Sequence, residues 1–135
     1  MKKRVNRSRV RVLLEEFNRY PEIIIQYLES SVCFTFPELI DPIDKGEFHC
    51  MFSYEGLSEA EGDFRSFIIR AGNKLGDCDL EEVAHKFLMS RNGIPGFWNH
   101  YPKVLADKLD RICRRFPKVS VKRNTEGLFY YVQTR

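Results

Sequence analysis

No stretch of this chain approaches the roughly 18 consecutive apolar residues of a membrane span, so no membrane association is expected. The first residues are Met1-Lys2-Lys3-Arg4, but no apolar run follows the charges, which argues against a secretory leader. Histidine is scarce, with three in 135 residues, and no C-x2-C or H-x3-H spacing links the histidines and cysteines. A structural zinc site therefore lacks its usual signature. There is no G-x-S-x-G elbow, no Walker loop and no G-x-G-x-x-G turn. The expectation is a protein that is not an enzyme and needs no cofactor and no metal.

The four cysteines are Cys33, Cys50, Cys78 and Cys113. A chain of this length can fold without disulfide staples, so reduced thiols inside a cell, in cytoplasm or nucleus, are expected. Cys113 falls on an apolar helix face and reads as a small core residue.

What is present is enough apolar material for a core. Hydrophobic residues make up 43% and aromatics 13%, with 11 phenylalanines. Disordered chains are poor in aromatics, so residues 1–135 read as one folded domain. The net charge of +3 says little, but its distribution says more. Residues 1–19 hold seven Lys or Arg against two Glu, and residues 101–135 hold nine against three acids. Residues 20–100 reverse the balance, with six against fourteen. Two readings follow: a basic surface built from both ends, or ends that pair with the middle.

Val10, Leu13, Leu14 and Phe17 have the spacing of an amphipathic helix over 6–19. Pro21 interrupts it and can begin a second helix over 21–30. Residues 32–36 and 48–54 read as short strands that could pair, with a proline-containing loop over 37–46 between them. Ser58 and Glu61 form an S-x-x-E capping box, followed by Phe64, Phe67, Ile68, Ala71 and Leu75 on one face of a helix over 59–75. Gly76 suits its C-terminal cap. Asp79 with Glu82 starts another helix at about 80–91, ended by Asn92-Gly93. Capping accounts for these acids within the cluster Asp77, Asp79, Glu81 and Glu82 without a divalent cation. Pro102 fits the first position of a last helix, with Leu105, Leu109, Ile112 and Phe116 on its inner face. Residues 118–123 and 128–134 then form a hairpin around Asn124-Thr125-Glu126-Gly127. The expected fold is α+β and mostly helical: a helical segment over 1–57 with a small β element, then 58–135.

From residue 58 the order is helix, helix, helix, hairpin. The helix over 79–91, the helix over 102–116 and the hairpin over 119–133 resemble a winged helix-turn-helix domain. The resemblance covers the C-terminal half only. It differs from the usual pattern in a loop of about nine residues between the paired helices and in having no small strand between the first two. It implies that the second helix of the pair enters the major groove of duplex DNA and that the hairpin touches backbone or minor groove. Transcription regulation is the process such a fold implies.

The last helix carries Lys108, Arg111 and Arg115 at i, i+3 and i+7, away from its apolar face, with Lys103 and Arg114 beside them. Lys122 and Arg123 on the hairpin extend the patch. These seven are the candidate phosphate contacts, and Arg111 and Arg115 are the ones suited to guanine edges. The competing reading is a merely solvated face, since an amphipathic helix must put something polar outside. Lys2, Lys3, Arg4, Arg7, Arg9 and Arg11 read as a basic arm, a solubilising tail or a localisation signal. Phe97, Trp98 and Tyr101 in the loop before the last helix could stack on bases or plug the core between two helices. A second class of function stands beside the first: a protein–protein adaptor or inhibitor that grips a protein partner through the acidic middle and exposed aromatics. The sequence does not fix the oligomeric state.

Overall fold

A computed structural model describes residues 2–39 and 45–134, apart from the side chains of 2–8, 39, 45 and 46. The chain is mostly helical α+β. Its elements are α1 (Lys2–Arg19), α2 (Pro21–Thr35), α3 (Tyr54–Ala71), α4 (Leu80–Arg91), α5 (Lys103–Arg114), β1 (Lys118–Arg123) and β2 (Phe129–Thr134). Short 3-10 turns cover Pro37–Leu39, Lys45–Met51 and Gly72–Leu75. Among the described residues, no helix is long and apolar enough to cross a membrane.

Proline punctuates the first two helices. Tyr20 is held extended at φ −113° and ψ 99° before Pro21, which opens α2. That helix does not stop near residue 30. The strand expected over 32–36 is instead its last turns, because Val32 continues the buried stripe of Ile24 and Leu28 at four-residue spacing. Packing on α4 outweighs the strand preference of these β-branched and aromatic residues. Pro37 then ends the helix at Phe36.

The second expected strand, 48–54, is also corrected. Phe48 and Phe52 are both buried four residues apart, a spacing that a strand and a helical turn both satisfy, so the pattern alone does not decide between them. Residues up to Met51 form a 3-10 turn against α2, and Phe52 alone makes a parallel bridge, to Phe129. Of the loop expected over 37–46, residues 40–44 lie outside the described residues.

Helix α3 starts five residues before the expected position. Ser53, not Ser58, is the N-cap, and its Oγ accepts from the Gly56 N–H at 3.1 Å. Ser58 is exposed in the second turn. Gly56 is required here because β2 crosses the helix: a Cβ would lie 3.0 Å from the Phe129 carbonyl oxygen. The α-helix ends at Ala71, where Gly72 takes φ 52°, and Gly76 closes the following 3-10 turn at φ 62°. By contrast, the helix over 80–91 forms as expected, with the Asp79 carboxylate accepting from the Glu81 N–H at 3.0 Å.

The hairpin forms in the register Lys118↔Thr134 through Arg123↔Phe129. Its turn is held by Asn124, whose Oδ1 accepts from Glu126 and Leu128 N–H groups. At the other end, the Asn92 amide imitates a strand partner. It donates to the Val119 carbonyl at 3.1 Å and accepts from the Val119 N–H at 2.9 Å. Val119, Val121, Phe129 and Tyr131 form the buried face, with β1 against α2 and β2 against α3.

An aromatic stack forms the centre of the core. Phe67 and Phe87 lie 4.4 Å apart, and Phe116 meets Phe87 edge-on at 5.0 Å. Within this stack lies the guanidinium of Arg91, which is 1% exposed. It donates to Asp63 at 2.8 Å, to the Tyr27 hydroxyl at 3.0 Å and twice to the Pro117 carbonyl at 2.9 and 2.7 Å. Burial pushes the Tyr27 phenol up to about 12, so it remains a neutral partner at physiological pH. Glu59 is less well served. Its Oε2 is buried with no hydrogen-bond partner, and burial, with the Asp63 charge adding, raises its pKa.

Arg91→Ala strands the Asp63 carboxylate and is expected to cost about 3–5 kcal/mol, the range for a broken buried pair, read from urea unfolding curves. A loss below about 1 kcal/mol would place the organising contact elsewhere. Glu59 gives a pH signature. Its raised folded pKa means that its contribution is present below the unfolded value of 4.5 and is lost as pH rises through the folded value. Glu59→Gln should therefore gain on the wild type between pH 4 and pH 7. A stability gap independent of pH refutes this.

Candidate nucleic-acid interface

The position of α5 follows from its two faces. Leu109 and Cys113 are fully buried, and Phe116 just beyond the helix joins the aromatic stack. Burial pushes the Cys113 thiol up to about 12, so it behaves as an apolar filler, as its place in the sequence suggested. Lys108, Arg111 and Arg115 project from the opposite side and are exposed. Asp110, between them, faces inward enough to accept from the Ser90 hydroxyl at 2.9 Å.

The structure adds two cations that the sequence reading missed. Arg70, from the last turn of α3, and Lys74, from the following 3-10 turn, face the α5 stripe. Together with Ile112, the five cationic side chains line an open cleft of about 460 Å³, and no carboxylate lines it. The Arg70 guanidinium lies 4.8 Å above the Phe116 ring, which fixes its position. Arg70 and Lys74 sit within the acidic central segment, so segment charge concealed them. A usable signal was there: cations one turn apart, flanking the apolar face of Phe67, Ile68 and Ala71.

The remaining candidate residues do not all join this cleft. Lys103 is paired with Asp107 at 3.3 Å and Arg114 with Asp110 at 3.0 Å, both one turn along the same helix. Their charges are thus partly neutralised by their own neighbours. Lys122 and Arg123 lie at the far end of the hairpin, where Arg123 covers Phe129 at 5.1 Å. Phe129 docks on the N-terminal end of α3, through the Ser53 N–H to its carbonyl at 2.9 Å. A rise of 1.5 Å per residue therefore separates Arg70 from the point where the hairpin docks by about 25 Å along α3. The seven candidates form a central stripe, two paired flanks and a distant tip.

The N-terminal cations divide as well. The side chains of Lys2, Lys3, Arg4 and Arg7 lie outside the described residues. Arg9 is used internally: it donates to the Gly76 carbonyl and fixes α1 across the 72–75 turn. Arg11 is exposed.

The aromatic loop resolves in favour of the core. Trp98 is 2% exposed, lies 6.0 Å from Phe67 and donates its indole N–H to the Ser90 hydroxyl at 3.2 Å. Phe97 is half-buried against the edge of His85. Tyr101 donates to the Leu75 carbonyl at 2.7 Å. Of the three, Trp98 is wholly withdrawn from the surface, and Phe97 and Tyr101 are partly buried.

All four cysteines are unbridged. Among the described residues, no group of three or more His, Cys, Asp or Glu converges in a way that could hold a metal ion. Compared with family models, curated proteins and solved structures, the chain matches none.

Because Trp98 closes the core between α3, α4 and α5, Trp98→Ala should cost about 3–5 kcal/mol in urea unfolding. A loss under about 1 kcal/mol would return this ring to the list of surface recognition residues.

Proposed function

We propose that this protein binds nucleic acid without acting on it chemically, and that the α3–α5 cleft is the main phosphate contact. The reading rests on one observation: five cations from two separate helical regions line one cleft that contains no carboxylate. A merely solvated helix face does not need cations from a second element, and like charges brought together repel. An approaching polyanion relieves that repulsion and releases its own counterions. Lys108, Arg111 and Arg115, with Arg70 and Lys74, supply the contacts. Arg111 and Arg115, as planar forks, are the ones suited to guanine edges in duplex DNA. Lys103 and Arg114 contribute less, because each already has a carboxylate partner. Lys122 and Arg123 form a second, separate contact, the role that a winged-helix hairpin would have. Regulation of transcription is the process that fits a binder with these parts.

The adaptor reading has less support. Its aromatic grip loses Trp98 to the core, and the exposed rings of Tyr20, Phe34 and Tyr54 come from separate places: the link between α1 and α2, the end of α2 and the start of α3.

The measurement is fluorescence anisotropy of a labelled generic duplex across a salt series. Affinity should fall linearly in log–log coordinates. Each single Ala substitution at Lys108, Arg111 or Arg115 should flatten the slope by about one, and Lys103→Ala should change it least. An absence of binding at low salt removes the proposal and favours a protein partner.

A further inference from the structure

The α3–α5 cleft has an unusual donor set. Every polar side chain on its wall, Arg70, Lys74, Lys108, Arg111 and Arg115, donates hydrogen bonds and none accepts them. The one other lining residue is Ile112. No hydroxyl, amide or carboxylate is available for a sugar hydroxyl or an amino group, and no aromatic ring is offered to a base. A ligand that fills the cleft must therefore present acceptors, and five cations favour anionic oxygens.

Charge density narrows the choice. Lys108 and Arg115 are separated by about 10 Å along α5. Over that length a single strand of regular duplex presents about three phosphates, each with one charge. Five cations face the same space, so a continuous backbone leaves part of the charge unmatched. Condensed phosphates are denser. A triphosphate carries about four charges, two of them on its terminal group. Its oxygens point in all directions, which suits donors arriving from two walls. Arg70 is already fixed on Phe116, so a guanidinium stands ready on the α3 side.

We infer that the cleft is a triphosphate site, with the nucleoside left outside the rim. This deepens the nucleic-acid reading and rests on it for the source of the group: the 5′ end of a strand rather than a free nucleotide. The chemistry inside the cleft is the same in both cases.

The test uses the full chain and two short RNAs of one sequence, labelled at the 3′ end, one with a 5′-triphosphate and one with a 5′-hydroxyl. Free ATP and inorganic tripolyphosphate serve as competitors, without added divalent cation. The triphosphorylated strand should bind at least about tenfold more tightly, a difference of about 1.4 kcal/mol. Arg70→Ala/Lys74→Ala should abolish the difference, while Lys122→Ala/Arg123→Ala should retain it. Circular dichroism checks that both variants are folded. Both tripolyphosphate and ATP should compete; ATP that competes at least about tenfold more weakly than the triphosphorylated strand binds supports a strand end, and ATP of equal affinity supports the free nucleotide. Equal affinity for the two RNAs, with no competition by tripolyphosphate, overturns the inference and leaves the nucleic-acid reading intact. Failure of the triphosphorylated strand to bind also overturns the inference, and the nucleic-acid reading is then decided by the duplex titration alone.

Discussion

Most of this fold is organised around one buried guanidinium. Arg91 comes from the end of α4, but its partners come from three other places: Tyr27 on α2, Asp63 on α3, and the Pro117 carbonyl between α5 and β1. Removing a cation from water costs several kcal/mol, so such a group persists only where donors and charge are satisfied together. Here the fork is filled by a carboxylate, a hydroxyl and a carbonyl, and its face lies 5.4 Å from both Phe87 and Phe116. The hydrogen bonds are directional, whereas apolar contacts are not. The network therefore fixes where α5 ends and where the hairpin begins. Asn92, the next residue, continues the task by pairing with Val119.

That anchoring places the cationic cleft. The register of α5 against α3 decides whether Lys108, Arg111 and Arg115 face Arg70 and Lys74 or point elsewhere. Phe116 serves both sides of the arrangement: one part of the ring meets Arg91 in the core, and Arg70 covers it from the cleft. A buried charge and an exposed charge thus share one aromatic ring. The interior of the protein and its candidate binding surface are consequently joined through a single side chain.

The chain from Asp79 onward was the most legible part. Helical spacing in α5, the capping Asp79 and the Asn-Thr-Glu-Gly turn are local signals, and each formed close to where the sequence put it. The errors lay where distant contacts decide. Residues 32–36 have strand-like composition, yet helix packing holds Val32 in α2. Ser58 and Glu61 fit a capping box, but the crossing of β2 over Gly56 starts the helix earlier, at Ser53. The candidate site followed the same rule. The α5 stripe could be read from spacing alone, whereas its partners Arg70 and Lys74 belong to a segment whose net charge has the opposite sign. Lys122 and Arg123 share the sign of that stripe but not its location, since charge in a sequence carries no direction.

Helix α3 holds the hairpin at one end and one wall of the cleft at the other, with no break between Tyr54 and Ala71. It acts as a fixed ruler. A molecule that touches both basic ends must itself be about 25 Å long, close to about seven steps of a regular duplex strand. Anything shorter must choose one end. If both basic ends bind as proposed, this spacing would select ligands by length before any of their chemistry is read.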